Sequence, residues 1–159
     1  MGVSRSVPRA GSGIGRLGSL TSALIVCLLV TPAAHFAAAQ QKVNVNPGSP
    51  ERKQIADALR AVVEKELNKP VVFRIDALNV QDDWAFLRGV PLQKSGRRMD
   101  YRGTRYQARI DAGTFDDWIC ALLRKERGQW HVITHEIGAT DVPFVDWSER
   151  YQAPQGIFK

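Results

Sequence analysis

Cysteine is scarce in this sequence, whose 159 residues include two, Cys27 and Cys120. Cys27 lies in a segment with the features of a cleaved leader, and the lone cysteine that remains cannot form an internal disulfide. A mature domain of roughly 120 residues must then be stabilised by a packed core, which a chain of that length can build. Because Cys120 lies in an apolar run over residues 118–123, we expect a buried structural thiol rather than a reactive one.

Acidic residues are absent from residues 1–39, where all three charged side chains are arginines. A basic stretch, an apolar core densest over residues 23–30 and a run of small residues ending at Ala39 follow one another there. That order is typical of a secretory signal peptide. The sequence therefore predicts a signal peptide that is cleaved after Ala39, a flexible lead-in over residues 40–48 and a single domain over residues 49–159.

An uninterrupted apolar run of about 20 residues, the length that a membrane-spanning helix needs, is also missing. The apolar part of the leader is interrupted by Ser22, Thr31 and Pro32, among others. An uncleaved anchor stays open as an alternative, but cleavage is the interpretation that we favour. We expect a periplasmic or secreted protein without a stable membrane anchor.

The excess of positive charge is smaller in the domain than in the whole chain. Of the 22 Lys and Arg residues, three lie in the leader, which leaves 19 against 16 Asp and Glu. The high isoelectric point is therefore due in good part to the leader and is not a sign of nucleic-acid binding. We do not expect nucleic acid as a partner.

Helical spacing marks the start of the domain. Ser49 can cap a helix, Pro50 suits the first helical position, and apolar residues then recur every three or four positions up to Leu67. The sequence predicts one amphipathic helix that ends near Asn68, before Pro70.

Strands are predicted next, from β-branched and aromatic residues and from alternation of apolar and polar side chains. They occupy residues 71–80, 84–90, 117–125 and 129–137, and a short helix over residues 144–151 follows. This order predicts an α+β domain in which an N-terminal amphipathic helix packs on a four-stranded antiparallel sheet and a short C-terminal helix ends the chain. The element order is similar to that of cystatin-like and NTF2-like folds.

Signatures of catalysis are missing as well. The sequence has no glycine-rich phosphate loop, no serine nucleophile elbow and no cysteine–histidine signature. Simple alternation puts His131 and His135 on one face of their strand, about 13 Å apart, which is too far for both to bind one metal ion. We predict no catalytic residue, metal or cofactor, and the sequence leans against an enzyme without excluding one.

Asp76 is the acid best placed for a catalytic role, because a carboxyl in an enclosed apolar pocket can transfer protons. Alternation puts it on the same strand face as Val72, Arg74 and Leu78. An Asp on such a face more often pairs with a basic neighbour across the sheet, and we favour that interpretation. The tryptophans are expected in the core rather than in a ligand pocket; they are Trp84, Trp118, Trp130 and Trp147.

A basic loop joins the two predicted hairpins and holds the predicted binding residues. Five arginines and two tyrosines fall within 13 residues there: Arg97, Arg98, Tyr101, Arg102, Arg105, Tyr106 and Arg109. Such side chains bind phosphates, carboxylates and stacked rings. The other interpretation, which we favour from the sequence alone, is a solvated loop whose arginines pair with Asp100, Asp111 and Asp116.

The C-terminal region carries the most distinctive string of residues. It runs Ile-Gly-Ala-Thr-Asp-Val from Ile137 and continues with Asp146-Trp147, Tyr151, Pro154 and Phe158. With Trp84-Ala-Phe and the strand around Trp130, this string resembles a group of small exported bacterial proteins of unknown function. The resemblance implies export and a compact α+β domain, and it brings no activity, substrate or catalytic residue.

These features together predict an exported, noncatalytic binding or accessory domain of the bacterial cell envelope. Its partner would be an anionic envelope component or another protein, bound through the basic loop. The alternative is a small pocket enzyme of the isomerase or dehydratase type in an NTF2-like fold, a hypothesis that rests on fold analogy alone.

Overall fold

The computed structural model describes residues 43–159, so the predicted signal peptide and the start of the lead-in lie outside the described residues. The elements follow in this order: β1 (Val43–Asn44), α1 (Pro50–Leu67), β2 (Val72–Gln81), β3 (Trp84–Leu92), α2 (Gln107–Asp111), β4 (Ile119–Glu126), β5 (Gln129–Ile137), α3 (Trp147–Tyr151) and a final 3₁₀ helix (Gln155–Phe158).

The strands form one antiparallel sheet in the order β1-β2-β3-β4-β5, in which every strand pairs with its neighbours in sequence. The predicted α+β class with an antiparallel sheet is confirmed. The four long strands lie where residue type and alternation predict them, and each bound differs from the prediction by at most two residues.

The short strand β1 was not predicted, because two residues are too few to show periodicity. Val43 pairs with Val80 and Asn44 with Asn79, and the backbone N–H of Val45 donates to Leu78 O at 3.2 Å. The Val45 side chain is buried. Residues 43–45 of the predicted lead-in thus pair with the sheet, because the open edge of β2 supplies hydrogen-bond partners for them.

Helix α1 begins and ends with local signals. The Ser49 side chain accepts a hydrogen bond from the backbone N–H of Arg52, and Asn68 adopts the left-handed conformation that ends a helix. The buried face of the helix lies against the sheet, mainly over β5 and β2. Its buried residues are Ile55, Ala56, Leu59, Val63 and Leu67.

The sheet is covered on both faces. On one face Ile119, Ala121 and Leu123 of β4 pack in the same cluster as α1. On the other face Cys120 and Leu122 pack in the same cluster as Trp147 and Ile157 from the C-terminal segment. A strand that is buried on both sides reads as one apolar run, which is the pattern of β4 in the sequence. Burial also raises the pKa of the Cys120 thiol to about 12, as expected for a structural cysteine.

Two β-bulges change which residues share a face. The register of β2 against β3 skips Asp76, and that of β5 against β4 skips Ile133. One extra residue turns the rest of a strand over. Leu78 therefore packs beneath α1 whereas Arg74 is exposed, and His135 reaches α1 whereas His131 is exposed.

The predictions that Leu78 shares a face with Arg74, and His131 with His135, are accordingly wrong. Simple alternation does not anticipate a bulge. A side chain at Gly89 would also come within 2.3 Å of the backbone oxygen of Arg74, next to the first bulge. The close approach of the two backbones explains why glycine occupies this position.

The C-terminal segment differs from its prediction in detail. Helix α3 begins at Trp147 rather than at Phe144, because a turn precedes it in which the backbone N–H of Trp147 donates to Phe144 O at 3.3 Å. The predicted tail contains the 3₁₀ helix. The buried Asn79 amide holds this segment to β2 by donating to Ile157 O at 2.8 Å and to Lys159 O at 3.2 Å.

Candidate functional site

The predicted arginine and tyrosine set does not form one exposed surface. Tyr101 and Tyr106 are 6% and 3% exposed and belong to the core on the α1 side of the sheet. Their rings pack against Phe115, with centroid distances of 4.7 and 5.6 Å. The hydroxyl of Tyr101 donates to Asp117 Oδ1 at 3.0 Å. The two tyrosines therefore anchor the basic loop, and their rings do not offer a stacking surface to a ligand.

The Glu66 carboxylate gathers side chains from three parts of the chain. It accepts a hydrogen bond from the Tyr106 hydroxyl, it forms an ion pair with Arg105 Nη2 at 2.9 Å, and its Oε2 lies 2.7 Å from His135 Nε2. The side chains of Glu66 and His135 are 13% and 15% exposed. This polar cluster joins α1, the basic loop and β5.

Opposing effects set the pKa of Glu66. Burial raises it, but the hydrogen bonds from His135 and Tyr106 and the positive charges of His135 and Arg105 outweigh burial, so that the Glu66 pKa lies below its ordinary value of 4.5. Burial, reinforced by Glu66, raises the pKa of Tyr106. Glu66 is therefore an anion with three partners, Tyr106, Arg105 and His135, and it is not a protonated acid.

Sequence reasoning missed Glu66, although a signal for it existed. Glu66 lies seven residues after Leu59 and next to Leu67, and so falls on the buried side of an amphipathic helix. A charge in that position needs a partner. The partners, which lie 40 and 69 residues away in sequence for Tyr106 and His135, are not identifiable from local patterns.

Three of the five arginines are paired within the chain. Arg102 forms a two-pronged pair with Asp100, with both distances 2.9 Å, and it holds the pKa of Asp100 well below its usual range. Arg109 contacts Glu136 at 3.0 Å and donates to the backbone oxygens of Ile137 and Gly138. The predicted pairing of arginines with loop acids holds for Asp100.

For Arg105 and Arg109 the acids come instead from α1 and β5. Asp111, which was predicted to pair with an arginine, accepts a hydrogen bond from Gln107 Nε2 at 2.7 Å. Asp76 pairs with Arg74 at 3.1 Å and is exposed. Asp76 therefore pairs within β2 and not with a basic neighbour across the sheet, and its carboxylate lies at the surface rather than in an enclosed apolar pocket.

The remaining arginines, Arg97 and Arg98, line an open groove of about 740 Å³. We call it the basic groove. It is lined by Lys69, Pro70, Gln93, Lys94, Ser95, Arg97, Arg98, Met99, Asp100 and Arg102. Five of these side chains are cationic and one is acidic. Within the described part of the chain, Lys94, Arg97 and Arg98 form no ion pair.

The backbone around the basic groove is held by specific hydrogen bonds. Gln93 donates from its backbone N–H to Arg97 O at 2.9 Å and from its side chain to Arg98 O at 2.8 Å. The Lys69 ammonium donates to the backbone oxygens of Asp100 and Arg102 at 2.6 and 3.0 Å. The guanidinium groups of Arg97 and Arg98 thus project from a turn whose backbone is already fixed. Less loop entropy is therefore lost when an anion binds.

Metal and membrane signals are absent from the described residues. Residues 43–159 contain no group of three His, Cys, Asp or Glu side chains that could hold a metal ion. Within the same residues no helix is long and apolar enough to cross a bilayer.

No family model, curated protein or solved structure matches this chain. The resemblance to small exported bacterial proteins therefore remains a prediction. The structural evidence on function comes from the geometry of the basic groove and of the Glu66 cluster.

Replacing Glu66 by Gln removes the charge that its three partners share. We expect Glu66→Gln to lower the free energy of unfolding by about 1.5–3 kcal/mol near pH 7, the usual value for hydrogen bonds to a charged group. A lowered pKa means that this stabilisation is complete above pH 4.5 and is lost as the pH falls through the folded-state pKa. Urea unfolding of the wild type and the variant should therefore give a difference in the free energy of unfolding that becomes smaller at acidic pH.

Asp57→Asn on the same helix is the matched control. Asp57 pairs with Lys53 and Arg60 and its side chain is 37% exposed, so we expect a change below about 1 kcal/mol. Equal losses in the two variants would show that the Glu66 cluster contributes no more than a surface ion pair.

Proposed function

We propose that this protein is an exported, noncatalytic binding or accessory domain of the bacterial cell envelope, and that its ligand is an anion carrying phosphate groups. One observation carries the proposal: Lys94, Arg97 and Arg98 line the basic groove without an ion-pair partner among the described residues. Cations gathered at one surface favour an anionic ligand, and arginine forks match phosphate oxygens in pairs.

The composition of the basic groove supports a polar ligand rather than an apolar one. Its lining includes the side chains of Gln93 and Ser95 beside the cations, and its single acid, Asp100, is already bound by Arg102. An anion that enters the groove meets no unpaired carboxylate there. The phosphate groups of an envelope lipid and of a soluble phosphate compound share this chemistry, and the experiment below separates the two sources.

The export part of the proposal rests on the sequence of residues 1–39, with its basic start, apolar core and small residues before Gln40. We also propose that the fold is of the cystatin-like or NTF2-like type. A long helix that lies across one face of an antiparallel sheet supports this assignment. N-terminal sequencing of the protein from the cell envelope should begin at Gln40, and a protein that begins at Met1 would contradict cleavage.

The second candidate, a small pocket enzyme, has less support. Such an enzyme needs an apolar cavity with a carboxyl group whose pKa is raised. Tyr101, Tyr106 and Phe115 fill space between α1 and the sheet. Glu66, the acid that Tyr106 contacts there, has a lowered pKa. These observations favour the binding domain.

Removing the unpaired cations tests the basic groove. The probes are inorganic pyrophosphate, followed by calorimetry, and vesicles containing phosphatidylglycerol, followed by cosedimentation against vesicles of phosphatidylcholine alone. We expect Lys94→Ala, Arg97→Ala and Arg98→Ala together to weaken binding by at least about tenfold, because several charge-assisted contacts are lost. Binding of the wild type should weaken as salt is raised.

The matched control removes the same charge from exposed cations elsewhere, by changing Lys65, Arg124 and Arg150 to alanine. It should keep the affinity of the wild type within about twofold. Binding of pyrophosphate without binding to the anionic vesicles points to a soluble ligand, and the reverse points to a lipid. Equal losses in the two triple variants, or no binding of either probe, would contradict the proposal.

A further inference from the structure

A second cavity, which is open to solvent and has a volume of about 380 Å³, lies on the side of the sheet opposite α1. It is lined by Asp76, Arg88, Trp118, Asp141, Val142 and Phe144. Its volume is at the small end of the range for small-molecule pockets, roughly 300–1,000 Å³. We call it the zwitterion cavity.

Several elements hold the walls of the zwitterion cavity in place. Arg88 on β3 pairs with Ala77, directly after the bulge at Asp76. The indole N–H of Trp118 donates to Ala139 O at 2.5 Å, which fixes the ring beside the loop that carries Asp141. The ring of Phe144 packs against Phe86 of the sheet, 4.8 Å between centroids. The aromatic walls are therefore fixed before a ligand arrives.

Two opposite charges in this cavity have no ion-pair partner. Arg88 and Asp141 line the same space, yet among the described residues neither forms an ion pair, with the other or with a third residue. The second acid, Asp76, is already paired with Arg74. A simple anion would be attracted by Arg88 but repelled by Asp141. A simple cation would be attracted by Asp141 but repelled by Arg88.

A ligand with both charges and an apolar group would match the two unpaired charges and the aromatic walls of the cavity. We propose that this cavity binds an apolar α-amino acid, with its carboxylate on the Arg88 guanidinium, its ammonium on the Asp141 carboxylate and its side chain against Trp118 and Phe144. The arginine fork suits a carboxylate. Val142, which is 55% exposed, is partly covered by the bound side chain, so apolar surface leaves water.

This site is independent of the basic groove, with which it shares no lining residue. The two sites also select different ligands, because the groove has a large excess of cations whereas the cavity has unpaired charges of both signs. Failure of either proposal therefore leaves the other standing.

L-phenylalanine is the probe, titrated into the full chain by calorimetry. We expect a dissociation constant of roughly 1 mM or tighter. N-acetyl-L-phenylalanine lacks the ammonium and L-phenylalaninamide lacks the carboxylate, so each should bind at least about tenfold more weakly. Equal binding of the blocked compounds, or no binding of L-phenylalanine at about 10 mM, tenfold above that limit, would overturn the proposal.

Two variants assign the charges to residues. Arg88→Gln and Asp141→Asn should each weaken the binding of L-phenylalanine about tenfold. Asp141→Asn should not weaken the binding of N-acetyl-L-phenylalanine and should strengthen it, because this anion has no ammonium for Asp141 to bind and is no longer repelled by the carboxylate. Arg124→Gln is the control, because it removes an exposed arginine that lies over the Trp84 ring and outside the cavity. An equal loss in Arg124→Gln and Arg88→Gln would overturn the assignment.

Discussion

Three segments that are far apart in sequence meet at the Glu66 carboxylate. Burial alone would favour a neutral carboxyl, but donors from the basic loop and from β5 keep Glu66 charged. Just beyond the end of the same helix, the Lys69 ammonium holds two backbone oxygens of the loop. The C-terminal end of α1 therefore fixes the long, irregular basic loop between β3 and β4. The only helix or strand that the structure describes in this loop is the five-residue helix α2.

The sheet is covered on both faces, and the two candidate binding sites lie on different sides of it. On the α1 side, aromatic rings from the basic loop fill the core, and the cations that are left over lie on the surface at the basic groove. On the other side, the C-terminal segment packs over β3 and β4 and leaves the zwitterion cavity beside the bulge at Asp76. The bulge places Arg88 and Asp76 at one cavity, and a regular ladder would set the two strands in a different register.

Local patterns predicted the elements but not how their side chains meet. The helix that begins after Ser49 and the four long strands follow from capping and periodicity. The faces of His131 and His135 do not, because the bulge at Ile133 leaves no sequence signal. The basic loop was recognisable from composition. Which of its arginines are paired depends on Glu66 and Glu136, which are distant in sequence.

Hydrogen–deuterium exchange of the full chain tests most directly whether the Glu66 cluster holds the basic loop. The comparison is between the wild type and Glu66→Gln, over residues 101–111 and over β3. We expect faster exchange in the loop of the variant and unchanged protection in β3, because the lost contacts join the loop to α1 and β5. Unchanged protection of the loop, or an equal loss across β3, would contradict this account.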